Sequence, residues 1–429
     1  MVWPIDGVRR TQLVLAILFL VACIGYLVAV NMLGIETEVM RDRFWLNAEP
    51  MAHGVIPDTE YPPLALLFIA IPRIFADTPF GYNVAFVAEI ILFMVAGLLL
   101  TSRLAGAIGR DRCKAMVSYS ILVLLMLEFV VDRFDIIPAI MTLGALYLFM
   151  TGRVRWAFVL LALGTLTKLY PAILFPVILL YLVSERRWRD AAEGTAAFVG
   201  TGLLALTICW IVDPELILGF LGYHGDRPLQ LESVASSIVY LVSMLGLTDV
   251  WIQPSTDPGS FLSDNLRGPL PDAVAEVLMP LMVVAIIAVC ALYAYRRLSV
   301  TSEQGMRMAA LAMLGCLMAF LVTNKVFSSQ YLIWLIPSVL LVLLVSDERL
   351  SKRLNVSILA MFVLTQVNFA YNVGYLGGGA NIGDLGMMVI LARNLVAAYI
   401  LYLCVSGIVL DRRQTRQADA DDVTFRSQL

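Results

Sequence analysis

The sequence predicts an all-α, polytopic membrane helical bundle, and three observations carry that prediction. Apolar residues make up 60% of the 429-residue chain and charged residues only 15%, against about 45–50% and about 25% in soluble globular chains. Long uncharged runs recur from end to end, among them Leu13–Met32, Gly194–Val212, Val277–Tyr293 and Leu395–Leu410. Each is near the ~20 residues that carry a helix across a ~30 Å hydrocarbon core. No strand-like alternation repeats between turns, which excludes a membrane barrel.

The first apolar run, near 11–32, is longer than a secretory leader and has no small-residue cleavage pattern, so it reads as a retained first helix. The formal net charge of −3 comes with no basic tract, and nucleic acid is not an expected partner. Five cysteines, Cys23, Cys209, Cys290, Cys316 and Cys404, fall inside apolar spans, and Cys113 lies in a basic loop. With no CxxC or Cys/His cluster, buried thiols are expected rather than a disulfide framework or a metal site.

Lys and Arg set the orientation. Basic clusters at 9–10, 103–114, 153–155, 186–189, 296–307, 349–353 and 412–416, with Arg426, hold 21 of the 30 basic residues. Placing them all in the cytoplasm puts both termini there. It also dictates about twelve spans, near 11–32, 82–101, 115–131, 136–151, 156–168, 171–184, 192–212, 272–295, 308–324, 331–346, 354–374 and 386–409. The apolar stretch Pro62–Ala76 is too short to be a thirteenth; it opens with Pro62-Pro63, contains Pro72 and reads as a re-entrant or half-inserted helix. Irregular backbone at that depth survives only where protein or a wet cavity covers it. Residues 1–410 are thus one membrane domain, with the external loops 33–61 and 213–271 as its catalytic face. Residues 411–429 form a polar cytoplasmic tail without expected structure.

Chemistry must then come from loops and helix ends at the external surface. The first loop is rich in acid, with Glu36, Glu38, Asp42, Glu49, Asp58 and Glu60; most such residues are simply solvated. Asp42 stands apart because Arg41 and Arg43 flank it, and a carboxylate between guanidiniums stays ionised. A positioned carboxylate is what a transferase needs to take a proton from an acceptor hydroxyl. Arg133, Lys168 and Lys325 sit at external helix ends among apolar neighbours, where cations are costly and often functional. Snorkelling to headgroups is the plainer alternative for any one of them. Three on one face favour a phosphate site, since a phosphate leaving group gains charge as it departs. His224, in the second loop, is an exposed loop histidine or a hydrogen-bond partner for sugar hydroxyls or phosphate. With His53 as the other histidine and no clear carboxylate partner, no metal site is indicated.

Six segments, taken in order, resemble glycosyltransferase family 87. They are Asp42–Gly54, Glu60-Tyr61-Pro62-Pro63-Leu64, Asp132-Arg133-Phe134-Asp135-Ile136-Ile137-Pro138, Gly164–Pro171, Arg227–Ser233 and Lys325–Pro337. The family comprises membrane enzymes of GT-C architecture, related to polyprenyl-phosphate-mannose-dependent mannosyltransferases of actinobacterial phosphatidylinositol mannoside synthesis. The resemblance implies that Asp42, twelve residues before Gly54, is the catalytic base. The family's usual tyrosine two residues after that aspartate is Phe44 here, and Glu38 or Asp58 remains an alternative base.

It further implies attack by the acceptor oxygen on the anomeric carbon of a polyprenyl-phosphate sugar, with inversion. Lys168, Arg133 and Lys325 would hold the departing phosphate, and no divalent metal or other cofactor is needed. Substrate contacts are expected from Tyr61, Asp58, Glu60, His224, Arg227, Glu232 and Gln330. The expected partners are the bilayer of a bacterial plasma membrane, the lipid-linked donor (mannose being the expected sugar) and a glycolipid or cell-envelope glycan acceptor. The rival reading is a transporter or flippase of lipid-linked sugars, which would show repeated, broken helices in two halves. No such symmetry is visible.

Overall fold

A computed structural model describes residues 5–32, 39–57, 59–214, 216–217, 227–257, 263–297, 302–372 and 383–426. In chain order the helices are α1 (Ile5–Met32), α2 (Val39–Ala52), α3 (Pro63–Ala70), α4 (Pro79–Ala107), α5 (Arg112–Leu125), α6 (Leu127–Asp132), α7 (Ile136–Met150) and α8 (Val154–Thr167). There follow α9 (Phe175–Ser184), α10 (Trp188–Val212), α11 (Val234–Met244), α12 (Pro269–Arg297), α13 (Ser302–Thr323), α14 (Leu332–Val345), α15 (Glu348–Asn372) and α16 (Gly383–Arg426). Strands β1 (Trp251–Gln253) and β2 (Asn265–Arg267) pair antiparallel, Ile252 facing Leu266.

The protein is an all-α polytopic membrane protein. Each stretch expected to cross coincides with helix over most of its described residues, and seven helices among the described residues are long and apolar enough to cross by themselves. The remaining expected spans coincide with shorter apolar helices: α5 with α6, α7, α8, α9 and α14. The span near 115–131 is broken at Met126, where the backbone leaves helical geometry (φ −110°, ψ 14°). Pro62–Ala76 folds as α3 followed by a 3₁₀ turn over Ile71–Phe75. At ~1.5 Å per helical residue it is too short for a ~30 Å core. Between residues 213 and 271 lie α11 and the β1–β2 pair. The tail continues as helix to Arg426, its Arg, Gln and Ala being good helix formers.

The chain divides into two compact units: residues 1–172, 192–227 and 328–340, and residues 173–191, 228–327 and 341–429. In the first, α4 is the organising helix, packing on α5, α7 and α2, while α7 and α8 form an antiparallel hairpin. Thr78 caps α4 by accepting from Gly81 N at 3.1 Å, with Pro79 in its first turn. In the second unit, α13 packs on α12, α16 and α9, and α16 packs on α15. No residue in the apolar window of α10 is buried, as expected of a helix whose surroundings are lipid.

At the α4–α5 contact the Tyr119 hydroxyl donates to Met94 O at 2.8 Å, directly over Gly97. A Cβ on Gly97 would collide with that hydroxyl and with Ile140. Gly97→Ala should therefore destabilise the protein by about 1–3 kcal/mol, the usual cost of overpacking. Gly200→Ala, where a Cβ meets nothing, should not. Thermal midpoints in detergent check the pair.

Candidate active site

The α7–α8 hairpin brings the start of α7 and the end of α8 to the same corner. Pro171 has no N–H to give the Thr167 carbonyl, so α8 stops at Thr167 and Lys168 turns to extended geometry (φ −158°, ψ 136°). Asp135 immediately precedes α7, but its carboxylate does not cap that helix. It is buried instead against Lys168, whose Nζ lies 2.9 Å from Oδ1. The same carboxylate oxygen accepts from the Trp334 indole N–H at 2.6 Å. Trp334, in the first turn of α14, is held between two stacked rings, Tyr170 at 4.7 Å and Tyr331 at 3.8 Å between centroids.

Three aromatic faces wall the Lys168 ammonium: Phe134 at 4.9 Å, Trp334 at 5.5 Å and Tyr61 at 5.8 Å. Tyr61 and Phe134 pack edge to face, and Phe44 of α2 is fully buried against both. The ammonium is thus contacted by ring faces and by a carboxylate. Its place at the C-terminal end of α8 adds the favourable end of the helix dipole.

Other charges gather around the same corner. Arg133, extended at the end of α6, has its Nε 3.7 Å from Asp132, an electrostatic contact too long for a hydrogen bond. Arg43 of α2 reaches Glu60 at 3.4 Å. Burial pushes the Tyr61 phenol well above its usual range, and the charges of Glu60, Arg133, Arg43 and Asp135 all act on it. Tyr61 is therefore a neutral hydrogen-bond donor. Arg227, Asp135 and Glu60 lie within electrostatic reach of the Tyr331 hydroxyl. Farther along α2, Glu49 accepts from Arg73 of the Ile71–Phe75 turn at 2.8 Å, and the Arg73 guanidinium lies over the Trp45 ring. That hydrogen bond holds the Glu49 carboxyl below its usual range. The end of α2 is closed by Gly54 at φ +76°, with Val55 N donating to Pro50 O, so the glycine twelve residues after Asp42 is a helix stop.

The 15 residues of α7 and 14 of α8 rise only ~21–22 Å, short of a ~30 Å hydrocarbon core.

The second unit holds a separate polar group. Glu232 receives Arg393 at 2.9 Å, and Arg393 is fully buried with its guanidinium 4.2 Å from the Phe327 ring centroid. Asn394 donates to Ser237 Oγ at 2.8 Å and to the Ser233 carbonyl at 3.1 Å. Gln230 N donates to the Lys325 carbonyl at 2.9 Å, and its side-chain oxygen accepts from Phe327 N at 2.7 Å.

Of the residues expected to act, Lys168, Arg133, Tyr61, Glu60 and Arg227 fall in the first unit around this corner. Gln330 belongs to the same unit, in the 3₁₀ turn beside Tyr331. Lys325, buried, and Glu232, engaged by Arg393, belong to the second unit. Asp42 lies in the first turns of α2, but its side chain is outside the described residues, as are Glu38, Asp58 and His224. The residues not anticipated are Asp135, Trp334, Tyr331 and Arg393. Asp135 and Trp334 stood inside matching segments but are 199 residues apart, and no local pattern links them.

A part-exposed ammonium and two guanidiniums beside aromatic walls are chemically suited to contact an anion. The cysteines are free thiols, of which Cys23, Cys316 and Cys404 are buried and the other three partly so. No curated protein matches the chain. The model of glycosyltransferase family 87 matches residues 59–324, more than half of the chain and including the α7–α8 corner. The protein is accordingly a membrane glycosyltransferase, and it belongs to glycosyltransferase family 87.

Proposed function

We propose that the enzyme moves a sugar, mannose in our reading, from a polyprenyl phosphate to a hydroxyl of a glycolipid or cell-envelope glycan. The reaction takes place on the non-cytoplasmic face of a bacterial plasma membrane, with both termini in the cytoplasm. What supports this reading is the Lys168 corner, cationic, aromatic-walled and at the ends of helices shorter than a ~30 Å core, which in this proposal sets it below the membrane surface. A nucleotide sugar arrives from water and needs no site at that depth. A phosphate carried on an isoprenoid chain does.

In this scheme Asp42 takes the proton of the acceptor hydroxyl as its oxygen bonds to the anomeric carbon. The bond from that carbon to the phosphate oxygen breaks with its electron pair, so the configuration inverts. The lipid phosphate thereby gains one negative charge. Lys168, with Arg133 and Arg43 beside it, stabilises that charge as it forms, where a low-dielectric site makes each cation count most. Tyr61, Glu60 and Arg227 surround the sugar and phosphate, and no divalent metal takes part. Asp42→Asn should bind the lipid donor as tightly as wild type and transfer less than about 1% as fast, as expected when a general base is removed. Transfer at the wild-type rate by a well-folded Asp42→Asn enzyme would remove the base from the scheme and return attention to Glu38 and Asp58.

A further inference from the structure

The second unit contains a helix whose amphipathic pattern is inverted. A helix at a protein–water boundary buries its apolar face and exposes its polar one. On α11 the buried residues include Ser236 and Ser237, whereas Ile238, Leu241, Met244 and Leu245 are exposed, Ile238 by 57% and Leu245 by 74%. Leu247, just beyond, is exposed as well. So many large apolar side chains on one short segment form a patch that water does not favour.

The hydrogen bonds of α11 give its depth. Its N-terminal end is tied to α16 through Asn394, which donates to Ser237 Oγ and to the carbonyls of Ser233 and Glu232. Asn394 comes nine residues after Leu385, the start of the apolar span Leu385–Leu410, or ~14 Å along the helix axis. That span has 26 residues, ~39 Å of helix, so it overhangs a ~30 Å core by ~9 Å. Even if the whole overhang lay at the Leu385 end, Asn394 would be inside the hydrocarbon layer. From there α11 climbs back: Val239 packs with Ile390, Met387 and Leu278, residues nearer the starts of α16 and α12. Its 11 residues rise ~16 Å, about the thickness of one leaflet. Both helix ends are satisfied internally, by the Ser233 side chain accepting from Ser236 N and by Leu245 N donating to Val242 O. Backbone in lipid requires that.

We infer that Val234–Met244 is a re-entrant helix whose outer face, Ile238, Leu241, Met244 and Leu245, is covered by the acyl chains of bilayer lipid. This surface is continuous with the lipid-facing flank of α12, on which α11 packs and where Val277, Leu281 and Val284 are exposed. The segment Gln230–Ser233 consequently works at membrane depth.

The test is photocrosslinking of the full-length enzyme in phosphatidylethanolamine–phosphatidylglycerol vesicles containing a small amount of polyprenyl phosphate. p-Benzoylphenylalanine is placed singly at Ile238, Leu241 or Leu245, with Leu203 on α10 as the lipid-exposed standard and Asp257 in the β1–β2 turn as the exposed polar one. Mass spectrometry should find phospholipid adducts at the three α11 sites at the Leu203 level, and at most a tenth of that at Asp257. Adducts at Leu203 but none on α11 would overturn the inference, and so would α11 adducts made only with the polyprenyl chain. The unsubstituted enzyme gives an independent reading: hydroxyl radicals generated in the water phase should oxidise Met244 no faster than Met279 of α12. Rapid oxidation of Met244 alone would place that face in water.

Discussion

Lys168→Met lowers kcat/KM for the lipid-linked donor by about 10²–10³-fold, the usual cost of removing one preorganised group from a developing negative charge, and it also lowers the thermal midpoint, because the buried Asp135 carboxylate loses its ammonium partner. Methionine fills the apolar part of the Lys168 site among Phe134, Trp334 and Tyr61; what is lost is the ammonium. Asp135→Asn should act through the same group, because Asp135 Oδ1 is the atom that both Lys168 and Trp334 hold. Its loss in kcat/KM should approach that of Lys168→Met, and the double variant should be little worse than Lys168→Met alone. Groups in one network are coupled in this way. Trp334→Phe keeps the stack with Tyr170 and Tyr331 and removes only the N–H, so its loss should be smaller, about tenfold. Fully additive losses in the double variant would mean that Asp135 does not work through Lys168.

The largest expected loss of stability lies at Arg393. Its guanidinium is fully buried on a membrane-spanning helix, bonded to Glu232 and Asn394 and seated on Phe327. Arg393→Leu removes the guanidinium from the Glu232 carboxylate, and breaking a buried pair from one side costs about 3–5 kcal/mol. The expectation is a thermal midpoint lower by several degrees or more, with poor recovery from membranes. Arg393→Leu combined with Glu232→Gln removes both charges and should recover most of that loss. If the double variant is as unstable as the single one, the guanidinium matters for its packing on Phe327 and its bonds to Asn394, not for the charge pair.

Hydropathy located the spans because lipid leaves a helix little choice: every backbone group must be satisfied within the segment. It located the α7–α8 corner for a related reason, since Arg133 and Lys168 interrupt apolar runs at the points where those helices end. Three features were not legible. The break at Met126 has neither proline nor glycine to announce it. Arg393 lies inside the span expected near 386–409 and nothing local singles it out, because its partner Glu232 lies 161 residues away in sequence. Residues 234–244 are apolar but too short to be a span, and their inverted face appears only once Ser237 is seen bonded to Asn394. For Arg393 and for residues 234–244 the deciding partner is distant along the chain, where periodicity carries no information. The family segments did better at the site, because Asp132–Pro138, Gly164–Pro171 and Lys325–Pro337 hold Arg133, Asp135, Lys168 and Trp334. Which of these touch one another was not visible in them.

The most direct measurement is transfer by the purified enzyme in lipid nanodiscs, offered radiolabelled polyprenyl-phosphate mannose or a nucleotide-linked mannose, with an extract of membrane glycolipids and envelope glycans as acceptor. The expected result is label bound covalently to an acceptor from the polyprenyl donor only, with equimolar release of polyprenyl phosphate, undiminished by a chelator. Transfer from the nucleotide sugar, or label that crosses a vesicle membrane still attached to its polyprenyl phosphate, would contradict the donor-lipid mechanism.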